Sequence, residues 1–389
     1  LVELLNDIVK YAREYGVVRI IPKIDIDSLI AAGLLWKNLE EHNISATINF
    51  DLKLVVEETD IPTVLINLPK PEGAEENKQL FNLIYNGKES VSAYVAYFLD
   101  KLFITSSWEK LLALIPGIYY GLDSEEGFSG LEKQLLKEIK ENLSIKFGFK
   151  FWGRDRVGLQ KAIYRTLIPF LPGYTGDAEN VNNLLETVLG KTSGLTKYVS
   201  IEDDEKLAAR FLEKLVKGMK TDFNTAKRIA RKLLGNIYVA TLNNKVVELN
   251  EFIGSSLVFM SVKKDNPYYI PLLSIDKELL FQILTIYEEV IDSLCLDISL
   301  AINTYIESKK EQAIIEIEEG LTRPEIIIEI IKSIDENTRK IPLIVSINGE
   351  YLTTVDELLR IGNEPSIVYS NCDAVQLCRV DEHGNFIRS

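Results

Sequence analysis

The pattern of apolar residues predicts an α/β fold, with a largely parallel sheet in an N-terminal lobe and a smaller α/β domain towards the C-terminus. Three observations lead there. Strand-like and helix-like runs alternate over the first hundred residues, which implies strands laid side by side with helices on their faces. The stretch Val17 to Leu39, VVRIIPKIDIDSLIAAGLLWKNL, reads as a strand, an acidic loop and a helix, and strand-like runs return from Ile341 after a long helical middle.

Taken in order, Leu1, Leu4, Leu5, Ile8, Val9 and Ala12 recur at helical spacing, so a first amphipathic helix ends near Gly16. The β-branched run Val17 to Ile21 follows, then Pro22 and a turn holding Asp25 and Asp27. Ser28 opens the next helix and is its expected cap, worth about 1 kcal/mol. Two carboxylates two residues apart at the carboxyl end of a strand stand where open α/β sheets place ligands. Further strands are expected over Ala46 to Phe50, Thr63 to Leu68 (stopped by Pro69 and Pro71) and Phe81 to Tyr85. Val91 to Phe103, Ser107 to Leu114 and Leu131 to Asn142 read as helices.

Lys146 to Gly190 mixes glycine, proline, aromatic and basic residues. Helices over Asp203 to Lys217 and Thr221 to Leu234 come next, the second stopped by Gly235 as a left-handed terminal glycine. Ile237 to Leu242 and Lys245 to Leu249 form a predicted hairpin about Asn243 and Asn244. A long helix spans Asp276 to Lys309. In the tail, strands are expected over Ile341 to Ile347, Ser366 to Tyr369 and Ala374 to Val380, with a helix over Val355 to Ile361. At 389 residues the chain exceeds one ordinary core. The expected division is an α/β domain over 1–120, a helical and loop-rich connecting region over 121–235 and a C-terminal domain over 236–389.

Hydrophobic residues make up 46% and charged residues 26%, the balance of a globular protein. Even the most apolar stretch, Leu279 to Ile302, is interrupted by Glu288, Glu289, Asp292 and Asp297, so no membrane span is expected. Leu1 already opens a helical pattern, which leaves no signal segment to read. Three scattered cysteines, Cys295, Cys372 and Cys378, predict neither a disulfide framework nor a zinc site, and the expected location is cytoplasmic. A net charge of -14 excludes unspecific whole-surface binding of nucleic acid but leaves room for a local basic channel. An excess of Lys, Glu and Ile over Gln, His and Met leans towards a heat-adapted source. The two histidines, His42 and His383, are far from the acidic loop in sequence, and surface roles are expected for both.

Charge is unevenly distributed. Lys146, Lys150, Arg154, Arg156, Lys161 and Arg165 share a segment with Phe149, Phe151, Trp152 and Tyr164, while Lys227, Arg228, Arg231 and Lys232 share one helix. Basic residues interleaved with aromatics can track a single strand and stack its bases; the alternative is a solvated face. Glu311, Glu316, Glu318, Glu319, Glu325 and Glu329 outnumber Arg323 and would suit a basic partner. Ile341 to Ile347 reads either as an edge strand that could take a partner segment or, more ordinarily, as a buried strand.

Lys23 to Ala32, KIDIDSLIAA, resembles the first motif of the DHH phosphoesterase superfamily, H-x-D-x-D-G. In that family these side chains hold two manganese ions, which activate a water and steady the leaving oxygen of a phosphodiester. Asp25 and Asp27 match; Lys23 stands at the histidine and Ser28 at the glycine. The Asp-His-His motif falls on Asn67, Leu68 and Pro69 of INLPKPEG, a register supported by SVSAYVAYFL, which resembles the Ser-Ala-rich helix downstream. ALIPGIYY resembles the run ending in G-A-x-G-D, with Tyr120 at its aspartate. No counterpart of the remaining aspartate motif is found between Phe50 and Thr63.

The most specific stretch, FWGRDRVGLQKAIYRTLIPFLPGYTGDAENVNNLL (Phe151 to Leu185), is similar to archaeal RecJ-like proteins, including the GINS-associated nuclease. Pro169, Phe170, Leu171, Pro172, Gly173, Thr175, Gly176 and Asp177 repeat its P-F-L-P-G-x-T-G-D run. VVELNEFIGSSL and EPSIVYSNCDAVQLCRV resemble parts of the DHH-associated domain, whose GGGH segment is not found before Ser389. The resemblance implies a two-lobed RecJ-like core that has kept its framework and lost its ligands, leaving Asp25 and Asp27 as vestiges. Active members degrade single strands with manganese. The degenerate branch, typified by cell division cycle protein forty-five, joins GINS and the MCM helicase in the replicative CMG assembly. The resemblance therefore implies an archaeal, non-catalytic scaffold without a cofactor, partnered by GINS, MCM and possible single-stranded DNA. The alternative is a divergent manganese-dependent exonuclease or phosphodiesterase using Asp25 and Asp27.

Overall fold

The computed structural model describes residues 2–57, 60–73, 79–124, 126–190, 201–243, 245–262, 267–307, 314–317, 323–335 and 342–387. The chain forms two compact units, each assembled from separated segments. The first comprises Leu1–Glu141, Lys263–Gln282 and Leu352–Ser389; the second comprises Asn142–Val262 and Ile283–Tyr351. The blocks expected from sequence, 1–120, 121–235 and 236–389, are consecutive, whereas each compact unit gathers separated segments. The reason is visible at Gly33, where a side chain would meet Pro271 O at 2.4 Å. A distant segment closes onto an early helix that has only hydrogen at that position.

The first unit begins with α1 (Val2–Tyr15), β1 (Val17–Pro22), α2 (Ile26–Glu41), β2 (Ser45–Ile48), α3 (Lys53–Val56), β3 (Thr63–Ile66) and β4 (Leu80–Leu83). The strands lie in the order β2-β1-β3-β4, all parallel, with Ile20 opposite both Ile48 and Val64. β3 is buried at every position, as a strand covered on both faces must be. Helices α4 (Val91–Leu102), α5 (Ser107–Tyr119) and α6 (Gly130–Ile139) follow, and α2, α4 and α5 pack together. α5 runs past its expected end at Leu114 because Pro116 is accommodated within it, and Tyr120 becomes its C-cap.

The second unit opens with β5 (Leu143–Phe149), α7 (Arg154–Val157), α8 (Leu159–Arg165), α9 (Ala178–Leu189), α10 (Glu205–Gly218), α11 (Phe223–Leu233), β6 (Leu234–Leu242), β7 (Lys245–Glu248) and α12 (Leu249–Val262). β5, β6 and β7 form an antiparallel sheet in that order. Gly235 does not cap α11. It lies in β6 opposite Gly148, outside the left-handed region, with the end of the Lys150 side chain lying over it. Asn243 has the positive φ expected of the hairpin; Asn244 lies outside the described residues.

α13 (Tyr269–Leu272) belongs to the first unit, and its neighbour Leu273 accepts a hydrogen bond from Trp108 Nε1 at 2.6 Å. α14 (Leu279–Glu307) is the expected long helix; 308–309 lie outside the described residues. β8 (Ile314–Ile317), α15 (Pro324–Ile334), β9 (Ile344–Ile347) and β10 (Glu350–Thr354) follow, with β8 and β9 parallel. The first unit ends with α16 (Val355–Arg360), α17 (Pro365–Asn371) and β11 (Leu377–Val380). Ser366 to Tyr369 is helix, not strand: Pro365 occupies the first turn and Glu364 caps it by accepting from Ile367 N. Cys372 and Cys378 form a disulfide across a short turn, a pairing that the expectation of no disulfide framework did not include; a separation of six residues with an antiparallel bridge brings the two side by side.

The run that carries the closest sequence resemblance proves to be a packing device. Thr175 Oγ1 donates to Thr166 O at 2.7 Å and accepts from Leu171 N at 3.1 Å, closing the loop after the cis Ile168–Pro169 bond. Gly176 has φ +73°, and a Cβ there would stand 2.4 Å from Cys295 O of α14. Asp177 caps α9 through Asn180 N at 2.9 Å.

Candidate functional site

The acidic loop is built at the carboxyl end of β1. Asp25, not Ser28, caps α2, accepting from Ser28 N at 2.7 Å; its extended backbone leaves the carboxylate free to reach back to that amide. In the first turn of the helix, Asp27 is fully buried. Its Oδ1 accepts from Ser92 N at 2.8 Å and its Oδ2 from Val91 N at 3.0 Å, so the N-terminus of α4 points at the carboxylate. Asn67 Nδ2 lies 3.3 Å from the same Oδ2 and donates to Ser28 Oγ at 2.9 Å; Tyr120 Oη stands 3.5 Å from it. Burial and the charge of Asp25 push the Asp27 pKa up to about 6 against the opposing amide bonds. Burial, with Asp25 and Asp27 nearby, pushes the Tyr120 phenol far above its ordinary range.

Lys23 Nζ sits 2.9 Å from Asp25 Oδ2 and 2.9 Å from Asp356 Oδ2, at the start of α16. Burial opposes its charge, but the two carboxylates outweigh it and raise the ammonium pKa. On either side of Lys23, Gln376 clasps the main chain: its Nε2 donates to Pro22 O at 2.8 Å and its Oε1 accepts from Ile24 N at 2.9 Å. Gln376 adopts φ +60° in the turn bounded by the disulfide. Beside the loop, Tyr85 stacks on Tyr120 with ring centroids 4.3 Å apart, and the buried carboxyl of Glu132 accepts from Ser90 N at 2.7 Å.

Sequence positions chosen by motif register therefore converge: Lys23, Asp25, Asp27, Ser28, Asn67 and Tyr120 line one site. Leu68 and Pro69 do not contribute side-chain donors; Leu68 is core, and Pro69 O accepts from Tyr369 at 2.7 Å. Asp356 and Gln376 carried no signal, because residues more than three hundred positions apart share no period, and the α4 amides carried none because every residue type except proline supplies the same main-chain N–H. His42 stacks on Phe103 and contacts Asn38 O, and His383 is exposed, so neither reaches this loop.

The two manganese ions implied by the resemblance do not fit these groups. Such sites are made of imidazole and carboxylate. Here both oxygens of Asp27 are taken by amides, Asn67 turns an N–H towards it, and an ammonium occupies the space beside Asp25. Among the described residues no three His, Cys, Asp or Glu side chains converge as metal donors.

The candidate nucleic-acid residues separate into two groups. In the first, Arg165 is buried and held by Asp292 (2.6 Å from Nε) and Glu288 (3.0 Å from Nη1). Arg156 pairs with Glu251 and Glu288, Arg154 with Glu202, and Lys146 with Asp155. These guanidinium groups fasten the second unit together, and Phe149, Phe151 and Trp152 are core. Lys150 is partly exposed and Lys161 exposed. In the second group, on α11, Arg228 donates to Ile334 O at 2.7 Å, whereas Lys227, Arg231 and Lys232 are exposed. Lys227 lies over the ring of Phe223, itself 59% exposed. Of the acidic run, Glu325 pairs with Arg323 and Glu329 with Lys332, while Glu311, Glu318 and Glu319 lie outside the described residues, as does Ile341.

No protein-family profile matches the chain, and no curated protein sequence matches it. Solved structures do. CDC45 from Entamoeba histolytica matches with a TM-score of 0.59 and 9% identity, over 90% of this chain and 86% of that one. RecJ in complex with Mn2+ from Thermus thermophilus gives 0.34 and 11%, over 90% and 47%. Exonuclease RecJ bound to manganese gives 0.34 and 11%, over 89% and 81%. The chain has an α/β fold resembling that of CDC45. Among the described residues no helix is long and apolar enough to cross a membrane.

Proposed function

We propose that this chain is a non-catalytic subunit of an archaeal, CMG-like replicative helicase, binding GINS and supporting MCM during DNA replication. One observation carries the reading: the residues at the former metal positions are joined to one another by hydrogen bonds and an ion pair. Asp27 accepts from Val91 N and Ser92 N, and Lys23 bridges Asp25 and Asp356. A hydrolytic two-metal centre needs open carboxylates to hold its ions and a water. The shared fold with CDC45 supports the assembly role.

Contact with single-stranded DNA belongs to the same proposal, and the exposed face of α11 is its best-supported place. Lys227, Arg231 and Lys232 lie there beside Phe223, which suits a phosphate backbone and one stacked base. Lys150 and Lys161 are second in rank, and the paired Arg154, Arg156 and Arg165 are set aside because their guanidinium groups already bind carboxylates.

The test is affinity capture of the tagged chain with GINS and MCM subunits at low salt, alongside a manganese-dependent single-strand degradation assay. Recovery of both complexes without degradation is expected. Turnover that disappears in an Asp25→Ala, Asp27→Ala variant would instead establish a divergent exonuclease.

A further inference from the structure

We propose that the outer edge of β5 is a self-association surface, on which a second copy of this chain pairs antiparallel to form one continuous sheet across a two-fold axis. This goes beyond the scaffold reading and needs no other protein.

Hydrogen bonding within the second unit defines the edge. β5 is the outermost strand of the order β5-β6-β7. Lys150 N donates to Leu233 O at 2.7 Å, and the register of the two strands then assigns the ladder bonds to Gly148, Lys146 and Ser144. The N–H and C=O groups of Leu143, Ile145, Phe147 and Phe149 therefore point away from β6. Phe149 is occupied there, its amide donating to Glu202 Oε1 at 2.9 Å and its carbonyl accepting from Phe151 N at 2.9 Å. The main-chain groups of Leu143, Ile145 and Phe147 meet no described residue. The same three residues turn apolar side chains to one face of the sheet, where Ile145 is 43% and Phe147 54% exposed.

Sequence and charge select the occupant. Outward-facing residues must meet outward-facing residues, so only registers two positions apart are allowed. With Ile145 on the axis, Leu143 faces Phe147 of the second copy, every free main-chain group on the edge finds a partner, and the apolar side chains form one strip. Lys146, whose ammonium pairs with Asp155 of its own chain, then faces Ser144 of the second copy. Moving the axis to Lys146 sets two ammonium groups against each other and brings Leu143 to the occupied Phe149. Moving it to Ser144 leaves Phe147 facing Glu141, outside the strand. The run Leu-Ser-Ile-Lys-Phe is thus complementary to itself in a single register, as an isologous interface requires.

Sedimentation equilibrium of the full chain across the micromolar range reads the association. A single strand edge is a small contact, so a dimer with a dissociation constant on the order of 10 μM is expected. Ile145→Pro removes an amide that β6 does not use and should leave a folded monomer. Ser144→Lys sets like charges opposite each other on both sides of the axis and should weaken the dimer about tenfold. In site-resolved hydrogen exchange, protection of the Ile145 and Phe147 amides should rise with concentration, while the Lys146 amide, bonded to β6, should not respond.

A chain that stays monomeric throughout, including one that takes an extended segment of another protein on this edge instead, overturns the proposal. So does a dimer that survives Ile145→Pro, a loss below about threefold in Ser144→Lys, or exchange at Ile145 that ignores concentration. Should Ile145→Pro fail to fold, Ser144→Lys and the exchange pattern decide alone. Capture of GINS and MCM is read separately, so failure here is distinguishable from failure of the scaffold reading.

Discussion

The side-chain amide of Asn67 lies 3.3 Å from Asp27 Oδ2 while its own Oδ1 accepts from Tyr85 N at 2.8 Å. One residue thus neutralises the environment of a buried carboxylate and ties the end of β3 to the chain following β4. Asn67 itself has φ +54°, a conformation asparagine tolerates better than most residues. Restoring a carboxylate by Asn67→Asp puts two negative groups in contact and removes a donor. Chemical denaturation at pH 7 should show a loss on the order of 2 kcal/mol, partly recovered at pH 5, where the pair can share a proton.

Asp27 gives the chain an inverted acid response. Its folded pKa is raised to about 6 from an ordinary 3.8, so the native state holds a proton that the unfolded chain releases between those values. The contribution of this group to stability is therefore greatest below pH 4 and declines as pH rises through 6. Midpoints measured from pH 4 to 6.5 for the native chain and Asp27→Asn should converge across that window, because only the native chain loses this contribution as pH rises. At acid pH, where Asp27 is itself neutral, the variant should be less stable by about 1–3 kcal/mol, because its amide group turns an N–H towards donors at Val91 or Ser92.

Gly176 is held at φ +73° with Cys295 O 2.4 Å from where a Cβ would stand. Gly176→Ala should cost about 3 kcal/mol in urea unfolding, combining backbone strain with overpacking against α14. Gly190 also has positive φ but nothing within 4 Å, and Gly190→Ala should cost only about 1–2 kcal/mol.

Basic residues divide into structural and exposed sets, and mutation separates them. Arg165→Met leaves Glu288 and Asp292 without their buried partner and should destabilise by about 2–4 kcal/mol. Lys227→Glu with Arg231→Glu should change stability by less than about 0.5 kcal/mol. The same pair should abolish fluorescence-anisotropy binding of a labelled oligothymidylate and flatten its salt dependence. Equal affinity in that variant would remove α11 from the nucleic-acid proposal.

The disulfide closes a turn between Cys372 and Cys378. A loop this short restricts the unfolded chain modestly, so Cys372→Ser with Cys378→Ser should cost about 2 kcal/mol. Its effect should be local: loss of protection at Ile24, the amide that Gln376 accepts from, with the parallel sheet unchanged by hydrogen exchange.

Local pattern alone was enough for most of the elements and for the parallel sheet. β1, β3 and α2 are legible because apolar periods and the stops at Pro22 and Pro69 act over a few residues. Motif register also brought Lys23, Asp27, Ser28, Asn67 and Tyr120 to one place, since each follows a strand or helix end whose position is set by the same short-range pattern. Ser366 to Tyr369 was misread because four apolar-rich residues suit strand or helix equally, and Pro365 with Glu364 decided for helix. What only the folded chain determined is the company those residues keep. Asp356 and Gln376 meet the acidic loop from more than three hundred positions away, the α4 amides occupy Asp27, and carboxylates of α12 and α14 engage the arginines of the basic segment. Hydrogen bonds and ion pairs act over a few ångströms of space, and no spacing along the chain records which distant donor will fill them.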